Sequence, residues 1–325
     1  MSQHTTNLPM KRFLKHSLLS AEKMFGVFRK RREQNKSRLL VLCYHSVVSD
    51  DSPVNTRTNI AVSQNEFEKQ IALIRKRWNP VSLADVESAC FGKRSLPDYS
   101  VLVTFDDGFR NNYTLAAPIL KKHEVSAIVF LTTGLIGNTE LLWPQEVKER
   151  MIDGTSKNKD REVAAEKAVA ECKEMSYEDR VVYLEELRKS TTLNLEVPWK
   201  KELYEFMSWE EVRQIRKFGV ELGGHTVSHP ILSSLSLEKL RDELRFCKEK
   251  IESELGEKCF SFAYPNGRKV DFNDTVIEEA KQMGVRVAFN LYGRRNPVML
   301  NPMSIDRFCV TRDLSLLEFE SLLSK

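Results

Sequence analysis

The chain has 325 residues, of which 41% are hydrophobic and 30% are charged, and its formal net charge is +4. This length and composition are typical of a soluble globular protein with one large α/β domain or two small ones. No apolar run reaches the roughly 18 residues of a membrane-spanning helix. The six cysteines are scattered without a CxxC pair, which favours a reduced compartment over a disulfide framework.

The first 38 residues are predicted to form a basic leader ahead of the folded domain. Residues 11–38 hold ten Lys or Arg and two Asp or Glu, which leaves the rest of the chain net acidic. Apolar residues such as Phe13, Leu18 and Phe25 lie among these charges. Two interpretations stay open: a solvated leader, or an amphipathic helix in peripheral contact with an anionic membrane surface.

The charge distribution and the N-terminus also bear on partners and location. A net acidic body offers too little basic surface for nucleic acid, so no nucleic-acid partner is predicted. The N-terminus lacks an apolar secretory segment and a small-residue cleavage site. We therefore expect a cytoplasmic location, at the inner membrane surface if the leader holds the protein there.

Short apolar runs predict six strands that are buried on both faces, as in a parallel sheet. They cover residues 39–43, 101–105, 127–131, 220–222, 259–263 and 285–291. Helical patterns lie between them: after Ser63 and Ser208, each followed three residues later by Glu, and over residues 237–255 and 274–283. Strands that alternate with helices predict an α/β fold.

One region interrupts this alternation. Residues 140–207 are polar, helical in pattern and free of predicted strands, so we interpret them as a helical insertion in a single domain that covers residues 39–325. Trp143, Trp199 and Trp209 lie in or beside the insertion. Their rings either stack on sugars or are buried in helix packing.

Two adjacent carboxylates, Asp106 and Asp107, follow the second predicted strand. The carboxyl ends of parallel strands are where active sites assemble, and two like charges buried together are costly unless a cation is bound. His225 and His229 follow a later strand, four residues apart, so one turn directs both imidazoles at one point. Two His and one Asp leave an open position for water, which is the arrangement of a catalytic zinc. One Asp would bind the metal and the other would act as the base.

Three segments, in this order, resemble the successive motifs of the polysaccharide deacetylases (carbohydrate esterase family 4, the NodB homology domain): TFDDG at 104–108, HTVSHP at 225–230 and FAYPNG at 262–267. The resemblance spans about residues 39–310. It implies a distorted (β/α) barrel that hydrolyses N-acetyl groups on sugar polymers. It also implies that Asp106 is the general base and that Asp107, His225 and His229 bind the metal.

The general acid departs from the common family pattern, which ends with a histidine in a Leu-x-x-His motif. This chain has no histidine after His229. His45, in the sequence YHSV, resembles the YH-x-V element of the branch that includes bacterial poly-N-acetylglucosamine deacetylases, where the acid comes from the N-terminal side. Imidazole titrates near neutral pH, so His45 is predicted to protonate the leaving amine, with a structural histidine as the alternative.

The third motif lacks the arginine that often orients the base. Arg307 is predicted to replace it, and the alternative is a surface salt bridge between Arg307 and Asp306. Tyr264, Pro265 and Asn266 are predicted to line the substrate groove, because proline fixes a bend after the strand. A backbone N–H near Tyr264 is expected to stabilise the developing oxyanion.

Together these residues predict a metal-dependent hydrolase that removes N-acetyl groups from a polysaccharide or a lipid-linked glycan. The partner is therefore an N-acetylated glycan. The predicted cofactor is a divalent metal, Zn²⁺ first, with Co²⁺, Ni²⁺ and Fe²⁺ as alternatives. An O-acetyl esterase or a small-molecule amidase with the same site stays open, as does a non-catalytic glycan-binding relative.

Overall fold

The computed structural model describes residues 7–53, 58–153, 160–312 and 314–325. Residues 1–6 of the predicted leader and residues 154–159 of the predicted insertion lie outside the described residues. The strands within these ranges are β1 (Leu40–Tyr44), β2 (Ser46–Val48), β3 (Ala61–Ser63), β4 (Asn79–Pro80), β5 (Ser100–Phe105), β6 (Ala127–Leu131), β7 (Val220–Gly224), β8 (Ser261–Ala263), β9 (Val287–Phe289) and β10 (Phe308–Cys309).

Alpha helices cover most connections between these strands. They are α1 (Asn7–Met24), α2 (Val27–Gln34), α3 (Gln64–Arg77), α4 (Leu83–Cys90), α5 (Ala117–Lys122), α6 (Trp143–Asp153), α7 (Asp160–Glu174), α8 (Tyr177–Ser190), α9 (Pro198–Tyr204), α10 (Trp209–Ile215), α11 (Leu237–Leu255), α12 (Asp274–Gln282) and α13 (Leu316–Ser324).

One curled parallel sheet organises the domain. Its strand order is β10-β1-β5-β6-β7-β8-β9, and β4 pairs with β5. Strands β1, β5 and β6 are buried at every residue, as expected for strands covered on both faces. The carboxyl ends of β1, β5, β7 and β8 therefore meet at one edge of the sheet, which we call the carboxyl edge.

One segment, residues 305–309, joins the two ends of the sheet, because it contains the outer strand β10 and also contacts the other outer strand, β9. Ile305 donates its N–H to Ala288 of β9, and the Ile305 carbonyl accepts from Asn290. Three residues later, Phe308 pairs with Leu42 of β1. The segment thus contacts both ends of the strand order and completes the curl. The predicted distorted (β/α) barrel is confirmed.

The predicted elements are present, with ends that differ by small shifts. All six predicted strands occur within two residues of their expected limits, and the helix predicted over 237–255 has those limits. Ser63 caps α3 and Ser208 caps α10, each accepting from the backbone N–H three residues on. Four very short strands, β2, β3, β4 and β10, were not predicted because two or three residues show no period.

The region of the predicted insertion consists of helices α6 to α9. A small core of its own, with Trp143, Val147, Cys172 and Leu184, joins α6, α7 and α8, and this core also includes Ile231 just after the second histidine motif. The region therefore packs against the carboxyl edge. The exact limits of the insertion and the domain boundary at residue 38 stay predictions.

The described part of the basic leader is helical and packs on the C-terminal helix. Phe28 is buried, and Lys15 and Lys23 form ion pairs with Glu318 and Glu320 of α13 at 2.7 and 2.6 Å. Residues 7–38 are thus attached to the domain, in contrast to the solvated-leader interpretation. Within the described residues, no helix has both the length and the apolar character that a membrane span requires.

Candidate active site

Asp106 and Asp107 lie directly after β5, at the carboxyl edge. Strand β5 is central in the sheet, and the Asp106 N–H donates to the Tyr44 carbonyl of the neighbouring β1 at 3.0 Å. The Asp107 carbonyl accepts from Thr132, which follows β6, at 3.2 Å. Both aspartates are buried. The end of the strand thus fixes two adjacent carboxylates below the surface.

Asp106 is paired with Arg307 through two parallel hydrogen bonds. Arg307 Nη1 donates to Asp106 Oδ1 at 2.6 Å, and Nη2 donates to Oδ2 at 2.8 Å. Burial alone would raise the pKa of Asp106, but the Arg307 charge, the nearby His225 and the hydrogen bonds from Arg307 hold this pKa well below its usual value. Asp106 is therefore an ionised carboxylate with a fixed orientation.

Arg307 is itself fully buried, so its position is set by the sheet. Its Nε donates to the Asn290 carbonyl at 3.0 Å, and Nη1 also donates to Thr104 Oγ1 at 3.2 Å. The alternative of a surface salt bridge with Asp306 is wrong, because Asp306 instead accepts from Asn290 Nδ2 and Arg294 Nε. The strand-bridging segment thus delivers Arg307 to Asp106.

Asp107, His225 and His229 converge on one point. Asp107 Oδ1 lies 3.7 Å from His225 Nε2 and 3.7 Å from His229 Nε2. Ligand atoms about 2.1 Å from a tetrahedral zinc are separated by about 3.4 Å, so these distances are close to those of a metal site. The side chains of all three residues are buried.

The orientation of the two imidazoles suits metal binding. His225 Nδ1 lies 2.7 Å from the Ala263 carbonyl, and a donated Nδ1–H leaves the lone pair on Nε2, which faces Asp107. Two hydrogen bonds fix the backbone of His229. Trp143 Nε1 donates to its carbonyl at 3.0 Å, and its own N–H donates to Thr226 Oγ1 at 3.0 Å. Each ring therefore presents Nε2 to the same point.

The electrostatics of this cluster are compatible with a bound cation. Burial, and then the charge of Asp106, raise the pKa of Asp107 well above its usual value. Burial, and then His225, lower the pKa of His229 well below its usual value. Asp107 Oδ1 has no hydrogen-bond donor among the described residues. A divalent metal would stabilise the ionised carboxylate and bind neutral imidazoles, so the donor set fits the group.

The backbone of the site adopts left-handed conformations that residues other than glycine rarely take. Asp107, Thr226, His229 and Asn266 have φ values of 76°, 70°, 59° and 56°. Such conformations persist where the surroundings enforce them, and they cluster at functional sites. Glu243 of α11 provides part of this enforcement, since its Oε2 accepts from the N–H groups of residues 227 and 228 at 2.7 and 3.0 Å.

His45 faces the same cluster from the end of β1. Asn112 Nδ2 donates to its carbonyl at 2.7 Å, which fixes the backbone, while the buried Nδ1 has no partner among the described residues. Ligand atoms of Cys43, His45 and Asp106 lie within 4.8 Å of one another. Burial lowers the pKa of His45 to about 4, although the Asp106 charge opposes the shift. The ring is therefore neutral at pH 7 in the ligand-free protein.

The residues of the third motif differ in how far they are buried. Tyr264 is buried; its hydroxyl donates to the Met303 carbonyl at 3.0 Å, and its N–H donates to the Phe289 carbonyl. The Tyr264 phenol and N–H are thus already used. Asn266 differs, because it is partly exposed and its Nδ2 has no partner within the described ranges. Substrate contact by Tyr264, Pro265 and Asn266 stays a prediction, and Asn266 has the one amide available for it.

Three supporting residues were not identified from the sequence. Trp143 is buried in helix packing, as one of its two predicted alternatives had it, but its bond to the backbone of His229 was not predicted. Glu243 lies in an ordinary amphipathic helix, where no local pattern indicates a contact 15 residues away. Cys43 Sγ lies 3.4 Å from Asp106 Oδ2, a contact that depends on strand pairing. Each role depends on tertiary packing.

The fold and these motifs agree with comparisons to known proteins. The family profile described as polysaccharide deacetylase matches residues 93–288, which is more than half of the chain and includes both aspartates and both histidines. The chain therefore belongs to the polysaccharide deacetylase family.

Individual relatives match shorter parts of the chain. A poly-beta-1,6-N-acetyl-D-glucosamine N-deacetylase of Escherichia coli K12 is 31% identical over 90 residues, which cover 27% of this chain and 13% of that protein. The protein of the same name from Staphylococcus aureus MSSA476 is 35% identical over 97 residues, 28% of this chain and 33% of that protein. Curated relatives such as these are thus matched over less than half of their own length.

Solved structures show the same fold. The Streptococcus pyogenes deacetylase PplD in complex with acetate has a TM-score of 0.61 and 19% identity, and the match covers 89% of this chain and 97% of that one. IcaB from Ammonifex degensii has a TM-score of 0.60 and 22% identity, covering 89% and 98%. The barrel architecture is therefore shared across these proteins.

Removal of the Arg307 charge is expected to expose the cost of burying Asp106. We expect Arg307→Met to lower the free energy of unfolding by about 3–5 kcal/mol at pH 7, because a buried charge loses its partner. With Arg307 present, the folded-state pKa of Asp106 lies below its unfolded value, so its stability is kept down to well below pH 4. Without Arg307, burial would raise this pKa above the unfolded value, so the carboxylate would take up a proton as the pH falls towards 4 and the cost of its buried charge would disappear. The loss caused by the variant should therefore shrink towards pH 4, as measured by urea unfolding.

A matched control is Arg213→Met, which removes an exposed arginine paired with Glu210 and Glu254. Exposed ion pairs contribute little to stability, so Arg213→Met should change the free energy of unfolding little at either pH. A loss for Arg307→Met that is the same at pH 7 and pH 4 would contradict the assigned charge pair.

Proposed function

We propose that the protein is a metal-dependent N-deacetylase that acts on an N-acetylated polysaccharide or a lipid-linked glycan. The observation that carries this proposal is the arrangement of two adjacent buried carboxylates with separate partners: Asp106 on Arg307, and Asp107 facing His225 and His229. Family membership and relatives named for N-acetyl-D-glucosamine deacetylation support the substrate class. Members of this family are generally metal-dependent.

Asp107, His225 and His229 would hold the metal, with Zn²⁺ as the first choice because two imidazoles and one carboxylate suit it. A metal bound there would act as a Lewis acid and lower the pKa of a water molecule. The chain contributes the geometry: the Ala263 carbonyl fixes the His225 ring, and Trp143 and Thr226 fix the backbone of His229. The metal identity is left to measurement.

Asp106 would act as the general base. Two parallel hydrogen bonds from Arg307 keep the Asp106 carboxylate ionised and fixed in orientation, so it is ready to accept a proton from the attacking water. A strongly acidic carboxylate is a weak base in isolation. Asp106 lies next to Asp107, where a bound metal would lower the pKa of the water. This lower pKa would offset the weakness of Asp106 as a base.

His45 would act as the general acid that protonates the leaving nitrogen. Because its pKa is lowered to about 4, it would not carry a proton into the reaction at pH 7. We propose that it gains this proton during the reaction, from the water that Asp106 deprotonates. The His45 ring and Asp106 have atoms within 4.8 Å of each other, which a short transfer would require.

The first functional test separates metal binding from proton transfer. Asp106→Asn should keep the metal and lower the rate of acetate release by about 10²–10⁴, the usual contribution of a general base. His225→Ala should lose both the metal and the activity. Metal content is measured on purified protein after loading with Zn²⁺ and desalting, and activity is measured on N-acetylglucosamine oligomers.

Asp98→Asn is the control, since this side chain is about half exposed and pairs with Lys36. It should resemble the unmodified protein in both readouts. Normal turnover by Asp106→Asn would sink the assignment of the base.

The second test concerns the general acid. His45→Ala should slow hydrolysis of an N-acetyl sugar, whose leaving amine needs a proton, while hydrolysis of 4-nitrophenyl acetate, whose leaving phenolate needs none, should change little. Zinc content should stay at the level of the unmodified protein. An equal fall of both activities would indicate a structural role for His45 and reject the acid assignment.

We also propose that the exposed side of the N-terminal helix contacts an anionic membrane surface. Leu14, Leu18 and Phe25 are 60%, 62% and 77% exposed and lie on one side of α1 and the turn that follows it. Lys15 and Lys23 form ion pairs with glutamates of α13, so the helix is held with this apolar side outward. Residues 11–38 carry a net positive charge, which complements acidic lipid headgroups.

Vesicle sedimentation tests this contact. The unmodified protein should bind vesicles that contain phosphatidylglycerol more strongly than neutral phosphatidylcholine vesicles, and the double variant Leu18→Ser with Phe25→Ser should lose most of this binding. Met299→Ser, at a position that is 87% exposed elsewhere, is the matched control and should bind normally. Unchanged sedimentation of the double variant would overturn the membrane proposal. A dimer of the unmodified protein that dissociates in the double variant would also overturn it.

A further inference from the structure

A basic cavity lies where helices α1, α2 and α13 meet the end of α3. Its volume is about 380 Å³, and the residues that line it belong to these four helices or directly follow them. The charged and aromatic side chains of its wall include Lys23, Arg29, Arg32, Arg77, Trp78 and Glu320. The wall thus carries four basic side chains and one carboxylate, an excess of three positive charges.

Two of the four cations share the single carboxylate of the wall. Lys23 Nζ lies 2.6 Å from Glu320 Oε2, and Arg77 Nη1 pairs with Glu320 Oε1. Both oxygens of Glu320 are therefore occupied, and the side chain is buried. The carboxylate is thus committed to Lys23 and Arg77, and it does not balance the other two cations.

The other two cations, Arg29 and Arg32, have weak compensation or none. Within the described ranges, Arg29 forms no ion pair. Arg32 Nη2 is 3.7 Å from Glu33 Oε1, while Glu33 Oε2 accepts from the Tyr99 hydroxyl at 2.8 Å. The Arg32 guanidinium also lies over the rings of Trp78 and Tyr99, 5.7 and 5.0 Å from their centres. Even if Glu33 is counted, the cavity keeps an excess of two positive charges.

Two buried donors of the cavity wall also lack an acceptor. Trp78 is 4% exposed, and its Nε1 has no hydrogen-bond partner among the residues that the structure describes. The same holds for Arg32 Nε. A buried donor without an acceptor is costly, because it has lost its hydrogen bond to water. A ligand with several anionic oxygens would supply both acceptors and negative charge.

A phosphate monoester meets these requirements better than a carboxylate does. It carries a charge of about −1.5 to −2 at pH 7 and three acceptor oxygens. Guanidinium groups bind phosphate through paired, charge-assisted hydrogen bonds, and the two uncompensated cations here are both arginines. A carboxylate has one charge and two oxygens, so it would leave more of the excess charge unbalanced.

We propose that this cavity binds a phosphate monoester, with Arg29 and Arg32 as its direct partners and Lys23 and Arg77 as supporting charges. This function does not depend on the proposed deacetylase activity, since none of the residues that line the cavity belongs to the candidate active site. Two sources offer such a group: a soluble phosphate ester, or the headgroup of phosphatidic acid in a membrane that α1 contacts.

Titration calorimetry with glycerol 1-phosphate on the zinc-loaded protein tests the cavity. Arg29→Gln should lower the affinity at least about tenfold, because one hydrogen-bonded charge is lost. Arg29 is exposed and unpaired within the described part of the chain, so this variant should fold normally. Lys30→Gln is the matched control: it removes the same charge from the next residue of α2, which is exposed and does not line the cavity.

Two further variants make the assignment sharper. His225→Ala should lose the metal but keep the binding of glycerol 1-phosphate, which separates the cavity from a phosphate bound at the metal. Arg29→Lys should restore part of the affinity, because it returns the charge without the paired hydrogen bonds.

Sedimentation with vesicles that contain phosphatidic acid separates the two sources. For a lipid headgroup, Arg29→Gln should weaken vesicle binding more than Lys30→Gln does. For a soluble ester, Arg29→Gln should weaken only the binding of glycerol 1-phosphate.

Three results would overturn the proposal. The first is no binding of either probe by the unmodified protein. The second is an equal effect of Arg29→Gln and Lys30→Gln in both assays, which would indicate general surface charge. The third is binding of glycerol 1-phosphate that disappears in His225→Ala and survives in Arg29→Gln, which would place the phosphate at the metal.

Discussion

The structure depends on the burial of two adjacent carboxylates at the end of one strand. Two adjacent carboxylates buried below the surface can both stay ionised only if positive charge lies close to them. Arg307 balances the charge of Asp106 through two parallel hydrogen bonds. Asp107 faces two imidazoles, and within the described part of the chain its Oδ1 accepts no hydrogen bond, so a metal could be bound there. These different partners support the proposed roles of Asp106 as the base and Asp107 as a metal ligand.

The sheet brings these partners together from distant parts of the chain. Asp106 and Arg307 are 201 residues apart, and they meet because residues 305–309 contact both outer strands. His225 follows β7 and is oriented by the Ala263 carbonyl at the end of the adjacent β8. Left-handed backbone at Asp107 and His229 then turns the side chains towards one point. The helical region packs against this edge, and Trp143 bonds to the backbone of His229.

Much of the fold, and the cluster of Asp107, His225 and His229, could be predicted from the sequence because their signals are local. The run from Val101 to Phe105 indicates a buried strand, and Asp-Asp-Gly and His-x-x-x-His mark the ends of two strands. The partner of Asp106 could only be proposed, since the register that joins β1 and β10 is a long-range property. Tyr264 was expected in a groove because its motif follows a strand, yet its ring stacks on Phe272 at 3.9 Å and is buried. Sequence patterns indicate which residues reach the carboxyl edge but not which ones face solvent there.

The most direct test of the central claim is acetate release from N-acetylglucosamine oligomers by the zinc-loaded protein, repeated after chelation and after zinc is returned. The account predicts release that stops with the chelator and resumes with Zn²⁺, in protein that binds one metal ion per chain. Release that continues at the same rate in metal-free protein would contradict the metal assignment. No release from any N-acetylated glycan by protein that holds one metal would contradict the deacetylase assignment and direct attention to O-acetylated sugars.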